Sequence, residues 1–124
     1  MALGLLHVCW ALGSHWPASS GSDLADAVVG AQALPARVPT AVVSVGLVSG
    51  AVIVSGALGR PRARRSAAVA LGGAFVARGA LGGSAAARRI TASAPSARFV
   101  RLDRRCYRPL CAAIGVALLV SATA

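Results

Sequence analysis

The side chains most able to do chemistry in this sequence are few, and their spacing narrows what that chemistry is. His7 and Trp10 stand three residues apart, so a helix would place them on one face. A histidine at a membrane edge can handle a proton or touch a ligand; alternatively the two belong to an interfacial aromatic belt with a hydrogen-bonded histidine. His15 and Trp16 follow shortly after. Arg78 interrupts a long uncharged run. A charge inside a membrane span faces the bundle interior, a water-filled cavity or a counter-ion, unless its long side chain snorkels to the interface. Asp103 is the natural counter-ion, because the only other acidic residues, Asp23 and Asp26, lie far earlier in the chain. Asp103, Tyr107 and Cys111 recur every four residues and would share one face of a continuous helix. Pro109 breaks that pattern, since it lacks an N–H and disfavours helix at Arg108, and fits best in the first turn of a last span or at a kink.

Other chemistries find no support. Cys9, Cys106 and Cys111 form no C-x-x-C pair, so thiol–disulfide exchange is not expected. No metal cluster, phosphate-binding glycine loop or G-x-S-x-G elbow is present, and no cofactor is expected. The chain has no Glu, which argues against the proton-coupled cation export of the small multidrug pumps, a class that relies on an intramembrane Glu. Nucleic acid is not an expected partner: only Phe99 and Tyr107 stand near the densest Arg cluster as stacking residues, and anionic lipid headgroups account for the same charges.

The elements that must position these residues follow from charge and hydropathy. Thirteen basic residues, all Arg, against three acidic ones give a net charge of +10, yet 56% of the chain is hydrophobic and only 13% is charged. A soluble domain carries about a quarter charged residues, and disorder needs low hydrophobicity. With a mean hydropathy of +0.71, a small integral membrane protein with basic connections is what remains.

From Val38 to Gly59 runs an uncharged stretch of 22 residues, about 33 Å as a helix against a hydrocarbon core of about 30 Å, and too long for a strand. Ser66–Ala87 is equally long but rich in Ala and Gly, with Arg78 near its middle, so it inserts only beside other helices. Pro109–Ala124 becomes a plausible span when extended back to Asp103, and Ala2–Gly13 reads as a half-span better than as a signal peptide, having no basic n-region.

The expectation is an all-α integral membrane bundle of about four transmembrane helices in one domain, 1–124, with spans at 1–13, 38–59, 66–87 and 103–124, the first short enough to be truncated. The first connection, 14–37, holds a short helix around Leu24–Ala33; the second, 59–65, carries four Arg and the third, 88–108, seven. With four spans these two basic connections face opposite sides, so charge does not choose an orientation. Gly46-x-x-x-Gly50 and Gly79-x-x-x-Gly83 read as bundle packing.

Three segments resemble a known family. His7-Val8-Cys9-Trp10-Ala11-Leu12-Gly13 with Trp16 is similar to an H-x-x-W-A-L-G-G-x-W opening, with Ser14 in place of the second Gly. Phe75-Val76-Ala77-Arg78 is similar to a central F-x-x-R segment, and Phe99 to Cys111 to an F-x-x-x-D-x-x-x-Y-x-P-L-C ending. In order, these resemble the domain-of-unknown-function 3995 family of small actinobacterial membrane proteins. The resemblance implies a four-span inner-membrane protein, brings no activity, and singles out His7, Trp10, Arg78, Asp103, Tyr107, Pro109 and Cys111.

The expected role is a structural or accessory component of the cell membrane, multi-pass, meeting anionic headgroups and either a second copy or another membrane protein. The second reading is a carrier or membrane enzyme in which His7, Arg78, Asp103 and Tyr107 converge on an anionic or quinone-like ligand.

Overall fold

The computed structural model describes residues 1–33, 36–83 and 94–123, and all their regular structure is helical. The elements are α1 (Ala2–Ala11), α2 (Gly21–Val28), α3 (Arg37–Val54), α4 (Pro61–Leu81), α5 (Ala97–Leu102), a π-helical turn (Asp103–Tyr107) and α6 (Arg108–Ser121). The all-α expectation holds. Among the described residues one helix, α3, is long and apolar enough to cross a membrane, with a mean hydropathy of 1.8 over 18 residues. The first expected span, 1–13, is the short apolar helix α1.

The boundaries depart from expectation for local reasons. Helix α2 begins at Gly21 rather than Leu24, because Ser20 Oγ accepts a hydrogen bond from the Asp23 N–H at 3.1 Å and caps it there. Helix α3 stops at Val54, short of Gly59, where Gly56 and Gly59 take positive φ and turn the chain. Helix α4 starts at Pro61, since proline suits a first helical turn, so Arg62, Arg64 and Arg65 are helical rather than part of a loop. It ends at Leu81, which moves Arg78 from the middle of a span into the last turn of a helix. Residues 84–87 of the expected third span and 88–93 of the third connection lie outside the described residues, as does Ala124.

The final segment also differs. Helix starts at Ala97, not Asp103, and α5, the π turn and α6 follow one another without a gap to Ser121. Pro109 stands in the first turn of α6, as its missing N–H favours, and the helix runs into it from the π turn without a break. In the π turn the Arg108 N–H reaches back to the Asp103 carbonyl, one residue further than in an α-helix. The widened turn makes room for a proline ring that would otherwise collide with a carbonyl four residues back.

Helices α4 and α6 make the most extensive contact, followed by α1 with α3 and α3 with α4. Glycine allows the close approach of α4 and α6. A Cβ on Gly115 would sit 2.7 Å from Val76 N and 2.8 Å from Gly72 O, and one on Gly79 would meet Ala112 N and Arg108 O at 3.0 Å. The G-x-x-x-G pairs expected from sequence are only half used this way: Gly50 faces Leu71, but Gly46 has nothing within 4 Å and Gly83 lies past the helix end. The buried apolar set is small (Leu24, Ala25, Ala68 and Phe99), while Val38, Val45, Val69, Leu81 and Val120 stand more exposed than buried or nearly so.

Candidate functional site

Arg78 and Asp103 meet. Arg78, in the last turn of α4, donates from Nη2 to Asp103 Oδ1 at 2.6 Å. The other carboxylate oxygen accepts from the Gly83 N–H at 2.9 Å, and Asp103 is only 5% exposed. Gly82 adopts φ +73, which swings the chain so that this N–H faces the carboxylate. Gly83 has no room for a side chain: a Cβ there would lie 2.6 Å from Arg78 Nη2 and 2.7 Å from Phe99 Cζ. Among the described residues, Arg78 Nη1 is buried without a hydrogen-bond partner.

Arg108 closes the same helix end from the other side. Its Nε donates to the Gly79 carbonyl at 2.9 Å and its Nη2 to the Ala80 carbonyl at 2.6 Å. These are orphan carbonyls at a helix C-terminus, where positive charge is also favoured by the helix dipole. Cys111 sits one turn further along α6, half-buried.

Tyr107 reaches in a different direction. Its hydroxyl donates to the Ala27 carbonyl at 3.0 Å and so ties the π turn to the end of α2. Arg98 pairs with Asp26 at 3.5 Å, and the Ser96 N–H donates to the Gly30 carbonyl at 3.0 Å. Phe99, 2% exposed, fills the space between, 6.4 Å from the Tyr107 ring centroid. Helix α2 is thereby strapped onto α5 and the π turn.

His7 and Trp10 belong elsewhere. They share a face of α1, with ring centroids 4.9 Å apart. His7 Nδ1 donates to the Leu3 carbonyl at 2.8 Å, and Trp10 Nε1 to the Trp16 carbonyl at 2.7 Å. Both line an open cleft of about 1810 Å³ between α1, α2 and the start of α3, together with Asp23, Asp26, Arg37 and Thr40. Asp23 is held below the usual aspartate range by hydrogen bonds from Ser19 and Ser20. Arg78, Asp103, Tyr107 and Cys111 do not line this cleft. The residues singled out from sequence thus divide into an ion-pair clasp at the end of α4 and an imidazole–indole pair in the cleft.

A family model described as "Protein of unknown function (DUF3995)" matches residues 1–118. The chain belongs to this family. No curated protein and no solved structure matches it. In this DUF3995 chain the matched stretch runs from α1 into α6 and so takes in both the clasp and the cleft. Arg108, Gly82 and the Asp26–Arg98 pair join the sites without having been singled out in sequence, and Gly83 stood there only as a packing position. Only the Gly82–Gly83 doublet carried a readable signal, as a helix stop after Leu81. No group of three or more His, Cys, Asp or Glu side chains able to hold a metal gathers among the described residues. In the clasp both Asp103 oxygens are engaged and Arg108 is committed to backbone carbonyls, while Arg78 Nη1 is the buried donor left without a partner among the described residues.

Proposed function

We propose that this DUF3995 protein is a multi-pass integral membrane protein with a structural or accessory role. One observation carries the membrane reading. Only 11% of the apolar 18-residue window of α3 is buried inside the protein. The core helix of a soluble protein would be mostly buried, whereas a helix facing hydrocarbon is apolar on its outside. The exposed valines and leucines of α1, α4 and α6 fit the same solvent.

On this reading α1, α3, α4 and the joined α5–α6 rod are the four membrane helices, and α2 rests at the polar end. Helix α4 is long but weakly apolar, so it depends on its glycine contact with α6 and on the Arg78–Asp103 pair. Arg62, Arg64 and Arg65 at one end, and Arg101, Arg104 and Arg105 at the other, are exposed and suited to anionic headgroups. Both oxygens of Asp103 are engaged and Arg108 is bound to backbone carbonyls, which supports a structural role over catalysis there, although Arg78 Nη1 has no partner among the described residues. A second copy or another membrane protein is the partner class in keeping with this role.

The test is extraction and purification from the host membrane. The protein should stay in the pellet after alkaline carbonate washing and dissolve only in detergent. In mild detergent it should co-elute with a defined partner or as a homo-oligomer. Release by carbonate would refute the membrane reading, and a partner-free monomer would refute the accessory role.

A further inference from the structure

We infer that the groove between α1, α3, α4 and α6 takes an acyl chain of an anionic phospholipid, whose phosphate sits on Arg60, Arg62, Arg64 and Arg65. The inference rests on the membrane reading above and names a ligand for it. Charge points to this end of the molecule first. The four arginines fall within six residues, running from the α3–α4 turn into the start of α4, and all four are exposed. The three aspartates are engaged elsewhere: Asp23 with Ser19, Asp26 with Arg98, and Asp103 with Arg78 at the opposite end of α4. No aspartate of the chain therefore answers this cluster.

The helix itself adds to the excess. A helix N-terminus is the positive end of the dipole and favours acids there, not arginines. The first turn of α4 holds no acid, and its N-cap residue, Arg60, makes no side-chain cap. Guanidiniums and orphan N–H groups thus gather at one helix end, and a phosphate relieves both their repulsion and their unmet hydrogen bonds.

An apolar groove continues from this cluster. It holds about 470 Å³ and is lined by Ala51, Val54, Leu71, Phe75, Ile114 and Leu118, among others. Small-molecule sites span roughly 300–1,000 Å³. Among the described residues Ser55 is its one polar lining residue, and it stands at the end of α3 that leads to the arginines. Leu71 and Phe75 come seven and eleven residues after Arg64, so the three share one face of α4. From Arg64 to Phe75 that face runs about 16 Å. The Arg64 stem lies over the turn that closes α3: a Cβ on Gly56, next to Ser55, would stand 3.9 Å from Arg64 Cδ. An apolar slot with cations at its mouth is complementary to a lipid tail below an anionic headgroup. A second copy of this chain is the poorer match, because it would bring a further net charge of +10.

The experiment is native mass spectrometry of the purified full-length protein in neutral detergent, titrated with dioleoyl phosphatidylglycerol or dioleoyl phosphatidylcholine. The expected result is one phosphatidylglycerol retained per chain, about tenfold tighter than phosphatidylcholine. Arg64→Gln with Arg65→Gln should weaken phosphatidylglycerol about tenfold and abolish the preference. Ala51→Phe, which fills the groove, should weaken it about tenfold with every arginine in place, and Val54→Phe is a second such variant. Far-UV circular dichroism checks that each variant is folded. Dihexanoyl phosphatidylglycerol, with the same headgroup and a short tail, should bind the parent protein at least about tenfold more weakly. Carbonate washing of the host membrane runs beside these titrations, so the two readings fail separately. A protein retained by washed membranes that binds both dioleoyl lipids equally overturns the lipid site alone; one released by carbonate overturns both. Unchanged affinity in the folded arginine variant or in a folded groove variant, equal binding of the short-tailed lipid, or a lipid-free dimer that the groove variants disrupt would also overturn the inference.

Discussion

Asp103→Ala is the most informative single substitution. It removes a carboxylate that is 5% exposed and that accepts from two donors, Arg78 Nη2 and the Gly83 N–H. Removing one partner of a fully buried ion pair costs about 3–5 kcal/mol. The Arg78 side chain keeps 33% of its surface, so water recovers part of that loss and the lower end, about 3 kcal/mol, applies. The stranded Gly83 N–H adds about 1 kcal/mol. The expected total is therefore about 4 kcal/mol, a large part of the ~5–15 kcal/mol that holds a domain folded. Asp103→Asn should cost about half as much, because an amide oxygen still accepts one of the two bonds. Arg78→Ala combined with Asp103→Ala should cost less than the sum of the two singles, with a coupling of about 2 kcal/mol, since the double variant leaves no unpaired charge. The measurement is equilibrium unfolding in detergent, followed by circular dichroism at 222 nm, for the parent, the two single alanine variants, their combination and Asp103→Asn. A cost below about 1 kcal/mol for Asp103→Ala, or strict additivity in the cycle, would refute the account of the clasp.

The remaining predictions concern packing, strapping and pH. Gly115→Ala should destabilise by about 1–3 kcal/mol, because its Cβ would press on the Val76 and Gly72 backbones, as read by thermal unfolding. By contrast, Gly46→Ala should stabilise by up to about 1 kcal/mol in the same assay, having open space and a mid-helix position. Tyr107→Phe should cost about 1 kcal/mol and speed amide hydrogen exchange in α2, whose Ala27 carbonyl loses its donor. The Asp23 carboxyl is depressed in the folded state, so its support of α2 is complete above the ordinary aspartate range and is lost as pH falls through the depressed value. Protection of the α2 amides, relative to their intrinsic exchange at each pH, should therefore fall on acidification, and Ser19→Ala should move that fall to higher pH.

How far the sequence could be read depended on whether a feature was local or relational. The uncharged run from Val38 announced α3 by itself, because length and hydropathy are local properties and here mark a helix long and apolar enough to cross a membrane. Arg78 could be matched with Asp103 because only three acidic residues existed to choose from. The position of Arg78 within its helix was less legible. Charge content pushed the expected start of that span past Arg65, whereas Pro61 sets the true start and Gly82 the true end. Asp103, Tyr107 and Cys111 did not come together at one site, because the π turn from Asp103 to Tyr107, just before Pro109, adds a residue to the repeat. That turn depends on what Arg108 and Tyr107 reach across the fold, at Gly79 and Ala27, and no spacing rule encodes such partners. His7 and Trp10 were recognisable as a pair but not as part of a cleft, since its opposite wall comes from α2 and α3.

The 25-residue separation between Arg78 and Asp103 bears on how the chain is made. Synthesis runs from the N-terminus, so α4 leaves the ribosome before its counter-charge, its glycine-matched neighbour and the arginine that caps it exist. A weakly apolar helix ending in an unpaired guanidinium has little hold on a bilayer at that moment. On the proposed multi-pass reading, α4 commits to the membrane only once the last helix has emerged, the two entering together as a hairpin. Truncating the chain before Asp103 should then leave α4 outside the bilayer while α3 remains within it, an order of assembly written into which partner comes last.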